Sequence, residues 1–131
     1  MSESRKHTLL AVIELGGYPN FLPLYQRMGY TVTQVSSSRK AIAAVKQAPP
    51  DVIVAEFNTQ SDFRDRTSSL ESLLAAVERH QLTGHTTHVI VFYEAQTQPQ
   101  LDRLLSQFSV FKALPYPISN EQLEAVLDEA N

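Results

Sequence analysis

Two glutamates stand where side chains could take part in chemistry, each near the end of an apolar run. Glu14 follows TLLAVI and Glu56 follows DVIVA. Two carboxylates that share a cleft can hold a divalent cation, or can act as an acid and a base because like charges split their pKa values. No nucleophile or histidine base lies at the end of another apolar run, and Gly16-Gly17 lacks the spacing of a phosphate-binding glycine motif. The sequence therefore does not favour an enzyme built on this pair.

Three histidines form the other group of side chains that could bind a metal. His80, His85 and His88 are spaced as H-x4-H-x2-H around one polar segment. His80 ends a predicted helix and His88 begins a predicted strand, so their rings need not converge on one ion. A histidine near a helix C-terminus also suits the helix dipole. Solvated loop histidines are the preferred interpretation, and no metal site is predicted here.

Composition limits the class of protein. The chain has 131 residues, of which 43% are hydrophobic, and this fits a single domain over 1–131 with an ordered core over 7–129. No cysteine is present, which excludes disulfides and thiolate metal sites and fits a cytoplasmic location. The apolar run at the N-terminus is too short to span a membrane. With a net charge of −3 and no Lys/Arg cluster on one face, direct binding of nucleic acid is not expected.

The two glutamates must be positioned by the elements around them. Five apolar or β-branched runs alternate with five segments of helical period, and the predicted strands cover 8–15, 30–36, 51–57, 88–94 and part of 109–117. Such alternation predicts an α/β fold, a doubly wound five-stranded parallel sheet of flavodoxin-like order 2-1-3-4-5. Strands 1 and 3 meet at the topological switch point of that sheet. Glu14 and Glu56 are therefore expected to approach each other there.

Polar residues mark the predicted helix starts. Ser37 or Ser38 is expected to cap the second helix. Capping boxes are predicted at Ser68 with Glu71, Thr97 with Gln100 and Ser119 with Gln122. The polar stretch 58–68 has no helical or strand period and is predicted to be a loop.

The element order and several stretches together resemble the receiver domain of bacterial response regulators. The stretches are GYTV, PPDVIVAE, and VFKALPYPIS followed by EQLEAVL, and the match covers essentially the whole chain. The resemblance implies a CheY-like (βα)5 fold and a role in two-component, phosphorelay-type signal transduction. In that family an acid pair after strand 1 holds Mg²⁺, and an aspartate ending strand 3 accepts phosphate. A Thr or Ser ends strand 4, and a lysine precedes a cis proline after strand 5.

The sequence departs from nearly all of that pattern. Glu14 is the single acid after strand 1, and Glu56 stands at the phosphoacceptor position. Tyr93 stands at the Thr/Ser position and Tyr116 at the lysine position, with Pro117 retained. Phosphoryl transfer requires a bound metal and positive charge, which tyrosine does not supply. We therefore predict a degenerate pseudo-receiver without a cofactor, in which the two tyrosines fill the space for phosphate and metal. The resemblance implies a cis Tyr116–Pro117 bond; an ordinary trans proline is the alternative.

The resemblance also implies how such a domain signals. A pseudo-receiver is expected to be a regulatory module that contacts proteins, not an enzyme. The expected partners are a histidine kinase, an output domain or another regulator, and a homodimer is a further option. The face implied is helix 4, strand 5 and helix 5, at residues 97–130. Its candidate contact residues are Leu101, Leu105, Phe111 and Leu123.

Three alternatives stay open at the level of sequence. In the first, the chain is an active phosphoreceiver in which Asp62 or Asp65 joins Glu14 and Glu56 in an unconventional Mg²⁺ site. In the second, the chain is a sensor that holds a small ligand at the strand ends with the loop at 58–67. In the third, Glu56 acts as a built-in mimic of the phosphorylated state.

Overall fold

Strands and helices alternate along the chain, as the hydrophobic pattern predicts. In this computed structural model, residues 7–14, 20–57, 69–81, 84 and 86–130 are described. The strands are β1 His7–Val12, β2 Tyr30–Val35, β3 Val52–Glu56, β4 His88–Tyr93 and β5 Lys112–Pro115. The helices are α1 Leu22–Arg27, α2 Ser38–Gln47, α3 Ser69–Gln81, α4 Gln98–Leu105 and α5 Asn120–Ala130, with a short 3-10 helix, Ala95–Thr97, before α4.

The five strands form one parallel sheet in the order β2-β1-β3-β4-β5. This confirms the predicted doubly wound fold class and strand order. All strands run in one direction, so their carboxyl ends lie along the same edge of the sheet. β1 and β3 are neighbours, with Leu10 opposite Ile53. The ends of these two strands therefore lie side by side at the switch point.

Backbone and side-chain bonds join the starts of β1 and β3 and so help to fix their register. The Asp51 N–H donates to the Thr8 Oγ1 at 3.1 Å and to the Thr8 carbonyl at 3.0 Å. In return, the Thr8 N–H donates to the Asp51 Oδ2 at 3.0 Å. A fixed register at this end determines which residues meet at the other end, where Glu14 and Glu56 lie.

Two apolar layers cover the two faces of the sheet. On one face, the side chains of α2, α3 and α4 pack over alternate strand residues such as Leu10, Ile53 and Val91. On the other face, α1 and α5 pack over the residues in between, such as Val54 and Phe92. Among the helices of the described residues, none is long and apolar enough to cross a membrane.

Element boundaries follow the sequence signals in most places. Ser37, not Ser38, caps α2, because its extended backbone lets its Oγ accept the Lys40 N–H at 3.2 Å. The capping box of α5 is confirmed: the Ser119 Oγ accepts the Gln122 N–H at 3.1 Å. Gly29 follows α1 with a φ of 94°, a conformation that favours glycine.

Two boundary predictions are wrong, and a third falls outside the described residues. β1 ends at Val12, so Glu14 lies just beyond the strand. The capping box at Thr97 does not form, because the 3-10 helix runs into α4 and leaves the Thr97 backbone without the extended conformation of a cap. Its hydroxyl donates to the Glu94 carbonyl instead, at 2.7 Å. The predicted box at Ser68 lies outside the described residues.

Candidate functional site

The two candidate acids come together at the ends of β1 and β3. The Glu14 backbone N–H donates to the Glu56 Oε2 at 3.2 Å. Glu56 is 3% exposed, a rare state for a carboxylate unless its oxygens have hydrogen-bond donors. The N–H of Glu14 supplies one such donor. The predicted approach of these two residues is therefore observed, through the backbone of one and the side chain of the other.

The Glu14 carboxylate reaches a third element, the start of α2. The Ser38 hydroxyl donates to the Glu14 Oε2 at 3.3 Å, and Ser38 is 8% exposed. Because Ser37 performs the capping, the next serine in the run is left to bind the glutamate. A chain of hydrogen bonds thus runs from β3 through the turn after β1 to α2. Ser38 was proposed only as a cap from the sequence, and its role in the site was missed.

Aromatic side chains stand next to Glu56 on its face of the sheet. Glu56 alternates with Val52 and Val54 along β3, so it lies on the face that α1 and α5 cover. Its neighbour on β4 is Phe92, whose ring makes an edge contact with the Tyr116 ring at a centroid distance of 6.2 Å. Tyr116 therefore lies on the same face as Glu56.

Charge and burial act together on the Tyr116 hydroxyl. Burial raises the pKa of Tyr116, and the negative charges of Glu56 and Glu94 raise that pKa further. Tyr116 thus stays protonated and neutral in an environment of negative charge. In the resembling family this position carries a lysine, whose positive charge would have the opposite effect on the local field.

Tyr93 is not brought together with Glu56. It is one residue beyond Phe92 on β4, so its side chain lies on the opposite face, in the layer that includes Leu101 and Leu104. The prediction that Tyr93 fills the same space as Tyr116 is therefore wrong. Phe92 occupies that place, and the sequence VIVFY gave no signal for it, because a strand buried on both faces is apolar at every position.

The bond between Tyr116 and Pro117 is a cis peptide, as the resemblance implies. The Tyr116 N–H donates to the Tyr93 carbonyl at 2.9 Å, which ties this segment to the end of β4. Pro117 itself is exposed. Of the five predicted pocket residues, Glu14, Glu56 and Tyr116 thus share the site, and Pro117 adjoins it.

The described residues contain no cluster of metal-ligating side chains at this site. Within them, no group of three or more His, Asp or Glu side chains is arranged to hold an ion. Glu14 and Glu56 are the two carboxylates of the site, and each already accepts a hydrogen bond from the protein. Asp62 and Asp65, the two additional candidate ligands, lie outside the described residues.

The histidines do not form a described cluster either. The His88 ring packs edge-on against Phe111, with ring centroids 4.7 Å apart. His80 lies in the last turn of α3, where a cation suits the helix dipole. His85 lies outside the described residues. The packing of His88 on an aromatic ring is a structural role that the spacing alone did not indicate.

The predicted interaction face is only partly at the surface. Leu101 and Leu123 are 1% and 0% exposed and belong to the two core layers, so naming them as contact residues was wrong. The helical period that suggested them is that of the inward stripe. Leu105 and Phe111 are half-buried and present part of their surface to solvent.

Solved structures of receiver domains are similar to this chain. The chemotaxis response regulator CheY4 of Vibrio cholerae is 20% identical, with a TM-score of 0.72 over 97% of this chain and 100% of that chain. A response regulator receiver domain protein of Clostridium thermocellum is 16% identical, with a TM-score of 0.72 over 96% of this chain and 94% of that chain. A redox sensor of the streptococci, described as evolved from two-component response regulators, is 17% identical, with a TM-score of 0.73 over 95% of this chain and 50% of that chain.

These comparisons establish the fold. No protein-family model and no curated protein matches the sequence. The chain has the fold of CheY-like response regulator receiver domains, with the five-stranded parallel sheet in the order 2-1-3-4-5. Sequence identities of 20% and below carry the likeness no further than the fold.

Proposed function

We propose that this chain is an atypical receiver domain of two-component-type signalling that acts through protein contacts and without phosphorylation. The observation that carries the proposal is the state of Glu56. It replaces the phosphoacceptor aspartate of the resembling family, is 3% exposed, and accepts a hydrogen bond from the Glu14 N–H. A carboxylate held in this way is not presented to an incoming phosphodonor.

The electrostatics of the site also support the proposal. A phosphoryl group adds negative charge, and phosphoryl-transfer sites neutralise that charge with metal ions and cationic side chains. Glu14, Glu56 and Glu94 surround this site, and Tyr116 occupies the position of the lysine. Tyr116 supplies no positive charge there, because burial and the charges of Glu56 and Glu94 raise its pKa and keep it neutral. A phosphorylated Glu56 would therefore lack the positive charge that the lysine of the resembling family provides at this position.

A regulatory role without catalysis requires a surface for partners. The face formed by α4, β5 and α5, residues 97–130, is the surface that the resembling family uses. Of the candidate contact residues on that face, Leu105 and Phe111 have surface left to offer a partner. We propose a histidine kinase, an output domain or another regulator as the partner, with a second copy of the chain as a further candidate, in the cytoplasm.

The test is to ask whether the pocket accepts a metal and a phosphoryl mimic. Mg²⁺ is titrated into the purified protein by calorimetry, with and without beryllofluoride, and intact mass is recorded after incubation with acetyl phosphate. We expect no saturable heat and no gain in mass, because the acids are engaged by protein donors and the lysine is absent.

The Glu14→Gln/Glu56→Gln variant serves as the matched control. Heat that appears with the wild-type protein and disappears with this variant would locate a working acidic pocket and refute the proposal. An active phosphoreceiver with unconventional ligands, Asp62 or Asp65 among them, would then replace it. A rise in melting temperature with a small metabolite, but with neither Mg²⁺ nor beryllofluoride, would instead favour the sensor alternative.

A further inference from the structure

An open groove of about 300 Å³ runs between α2 and α3. Its lining consists of Ser38, Arg39 and Ile42 from α2 and Ser72 from α3. Ile42 is half-buried and is the apolar residue of this lining. The two helices pack directly against each other, so the groove is a seam between neighbouring elements of one face.

Arg39 lines the groove, and helical spacing places two more basic residues on the helix faces that form it. Arg39 and Lys46 are seven residues apart on α2, with Ile42 between them, and this spacing places all three on one stripe of the helix. On α3, Arg79 is seven residues beyond Ser72 and shares its face. Arg39, Lys46 and Arg79 are exposed, and none forms an ion pair with another residue in the described part of the chain.

The sequence predicted no Lys/Arg cluster on one face, and the helical spacing of these three residues is the reason to infer one here. Arg39 and Lys46 belong to α2 and Arg79 belongs to α3, so neither helix alone carries all three residues. The two helices pack beside each other.

The charge of the whole chain makes the cluster unusual. Residues 15–50 contain no Asp or Glu, although they include Arg27, Arg39, Lys40 and Lys46. All 14 acidic residues lie outside that stretch, and the net charge of the chain is −3. A basic surface on an acidic protein attracts an anionic partner to that place. The acidic surface of the rest of the protein repels the same partner.

We propose that the groove between α2 and α3 is a docking site for an acidic amphipathic helix of a partner protein. An aliphatic side chain of that helix packs on Ile42. Carboxylates about one turn away on the same helix pair with Arg39, Lys46 and Arg79. This is a helix-in-groove contact in which the apolar centre anchors the partner and the basic rim selects for acidic sequence.

The chemistry of the groove favours a protein over a nucleic acid or a lipid surface. A polyanion gains its affinity from many cations, whereas this site offers three on a chain of net charge −3. The half-buried Ile42 also calls for an apolar side chain, which a phosphate backbone does not provide. Carboxylates beside an aliphatic residue satisfy both parts of the groove.

This site goes beyond the proposed function and does not depend on it. It lies between α2 and α3, whereas the face at 97–130 lies at the other edge of the sheet. Ser38 belongs to the groove lining and also donates to Glu14. A helix bound in the groove would therefore contact a residue that is hydrogen-bonded to the acidic site.

The experiment uses a fluorescent, hydrocarbon-stapled helical peptide of Glu, Leu and Ala, with leucines on one face and glutamates beside them. Binding to the full chain is followed by fluorescence anisotropy at low and at high salt. We expect saturable binding that weakens with salt, because the contacts at the rim are electrostatic. The Arg39→Glu/Lys46→Glu/Arg79→Glu variant is expected to lose at least about tenfold in affinity.

Two controls separate this site from general charge. The Arg27→Glu/Arg103→Glu/Lys112→Glu variant makes the same change in net charge away from the groove and should bind the peptide within about twofold of wild type. Ile42→Ser keeps every charge and should still weaken binding. Circular dichroism and thermal melting check that each variant is folded.

Several outcomes would overturn the inference. One is a wild-type protein that binds the acidic peptide no better than a peptide with lysine in place of glutamate. Another is an equal loss of affinity in the two charge-reversal variants. In a third outcome, the protein does not bind the peptide but uses the groove cations to bind duplex DNA or phosphatidylserine vesicles. The groove would then be a binding surface for a polyanion or for a membrane.

Discussion

At the scale of single residues, Glu56 is the most informative side chain. A buried carboxylate is costly unless donors replace the water it has lost, and the Glu14 N–H is one such donor. Aspartate is one methylene shorter and would draw its carboxylate back from that N–H. The glutamate therefore connects the end of β3 to the turn after β1, at the position where the resembling family carries its phosphoacceptor.

This role predicts the effect of two substitutions on stability. Glu56→Ala leaves a cavity and removes the acceptor of the part-buried Glu14 N–H, which should cost about 1–3 kcal/mol in the free energy of unfolding. Glu56→Gln keeps a carbonyl oxygen of the same reach and should be within about 1 kcal/mol of wild type. Urea unfolding of the three proteins measures both values. Equal stability of the alanine and wild-type proteins would mean that the contact with Glu14 contributes nothing.

At the scale of elements, the ends of the helices illustrate what local sequence can and cannot predict. The same Ser/Thr-x-x-Gln pattern precedes α4 and α5, yet only Ser119 forms a capping box. Thr97 fails because the 3-10 helix before α4 gives its backbone a turn conformation, and an N-cap needs an extended one. The pattern specifies the side chains that a capping box needs, but it does not specify the backbone conformation of the residue before the helix.

The difference between these two residues can be measured. Ser119→Ala should destabilise the protein by about 1 kcal/mol, because the Gln122 N–H loses its acceptor at the first turn of α5. Thr97→Ala is the matched control and should cost less, since its hydroxyl bonds an exposed loop carbonyl and not a helix N–H. Guanidinium unfolding monitored by circular dichroism compares the two. A larger loss for Thr97→Ala would contradict the assignment of the caps.

At the scale of the whole molecule, the two faces of the sheet differ in what they hold. The face covered by α1 and α5 carries Glu56 at its edge, with Tyr25 buried in the layer and Tyr116 packed against it. The other face carries α2, α3 and α4, with the basic groove between the first two of these helices. The acidic site and the groove therefore meet at α2, through the Ser38–Glu14 hydrogen bond.

The tyrosines predict how stability depends on alkaline pH. Burial raises the pKa of Tyr25, and burial with the charges of Glu56 and Glu94 raises that of Tyr116. In the unfolded chain a tyrosine ionises near pH 10, so these residues contribute stability that is present below about pH 10 and is lost as the pH rises further. Urea unfolding from about pH 8 to about pH 11 should show the decline, and Tyr25→Phe and Tyr116→Phe should each reduce it.

Tyr30 also has a raised pKa, and its contribution to the alkaline loss of stability can be separated from those of Tyr25 and Tyr116. Burial, followed by the charges of Asp51 and Asp128, also raises the pKa of Tyr30, so Tyr30→Phe should remove a further part of the alkaline decline. The same slope in wild type and in the Tyr25→Phe/Tyr116→Phe variant would contradict the prediction. Glu56→Gln removes one of the charges and should bring the pKa of Tyr116 closer to its ordinary value.

The sequence by itself determined the order of the elements, the order of the strands and the approach of Glu14 to Glu56. Continuous apolar runs and helical periods identify strands and helices, and right-handed crossovers between parallel strands leave few other topologies. The inward position of Leu101 and Leu123 did not follow in the same way, because the resemblance suggested them as contact residues and the structure buries them.

Only the tertiary structure decided which side of the sheet each strand residue faces and which helices share a surface. β4 is apolar at nearly every position, so nothing in its sequence indicates that Phe92, and not Tyr93, lies on the face of Glu56. The choice between Ser37 and Ser38 depended on the backbone path into α2. The basic groove depended on the packing of α2 beside α3, because contacts between elements distant in sequence leave no periodic signal within either element.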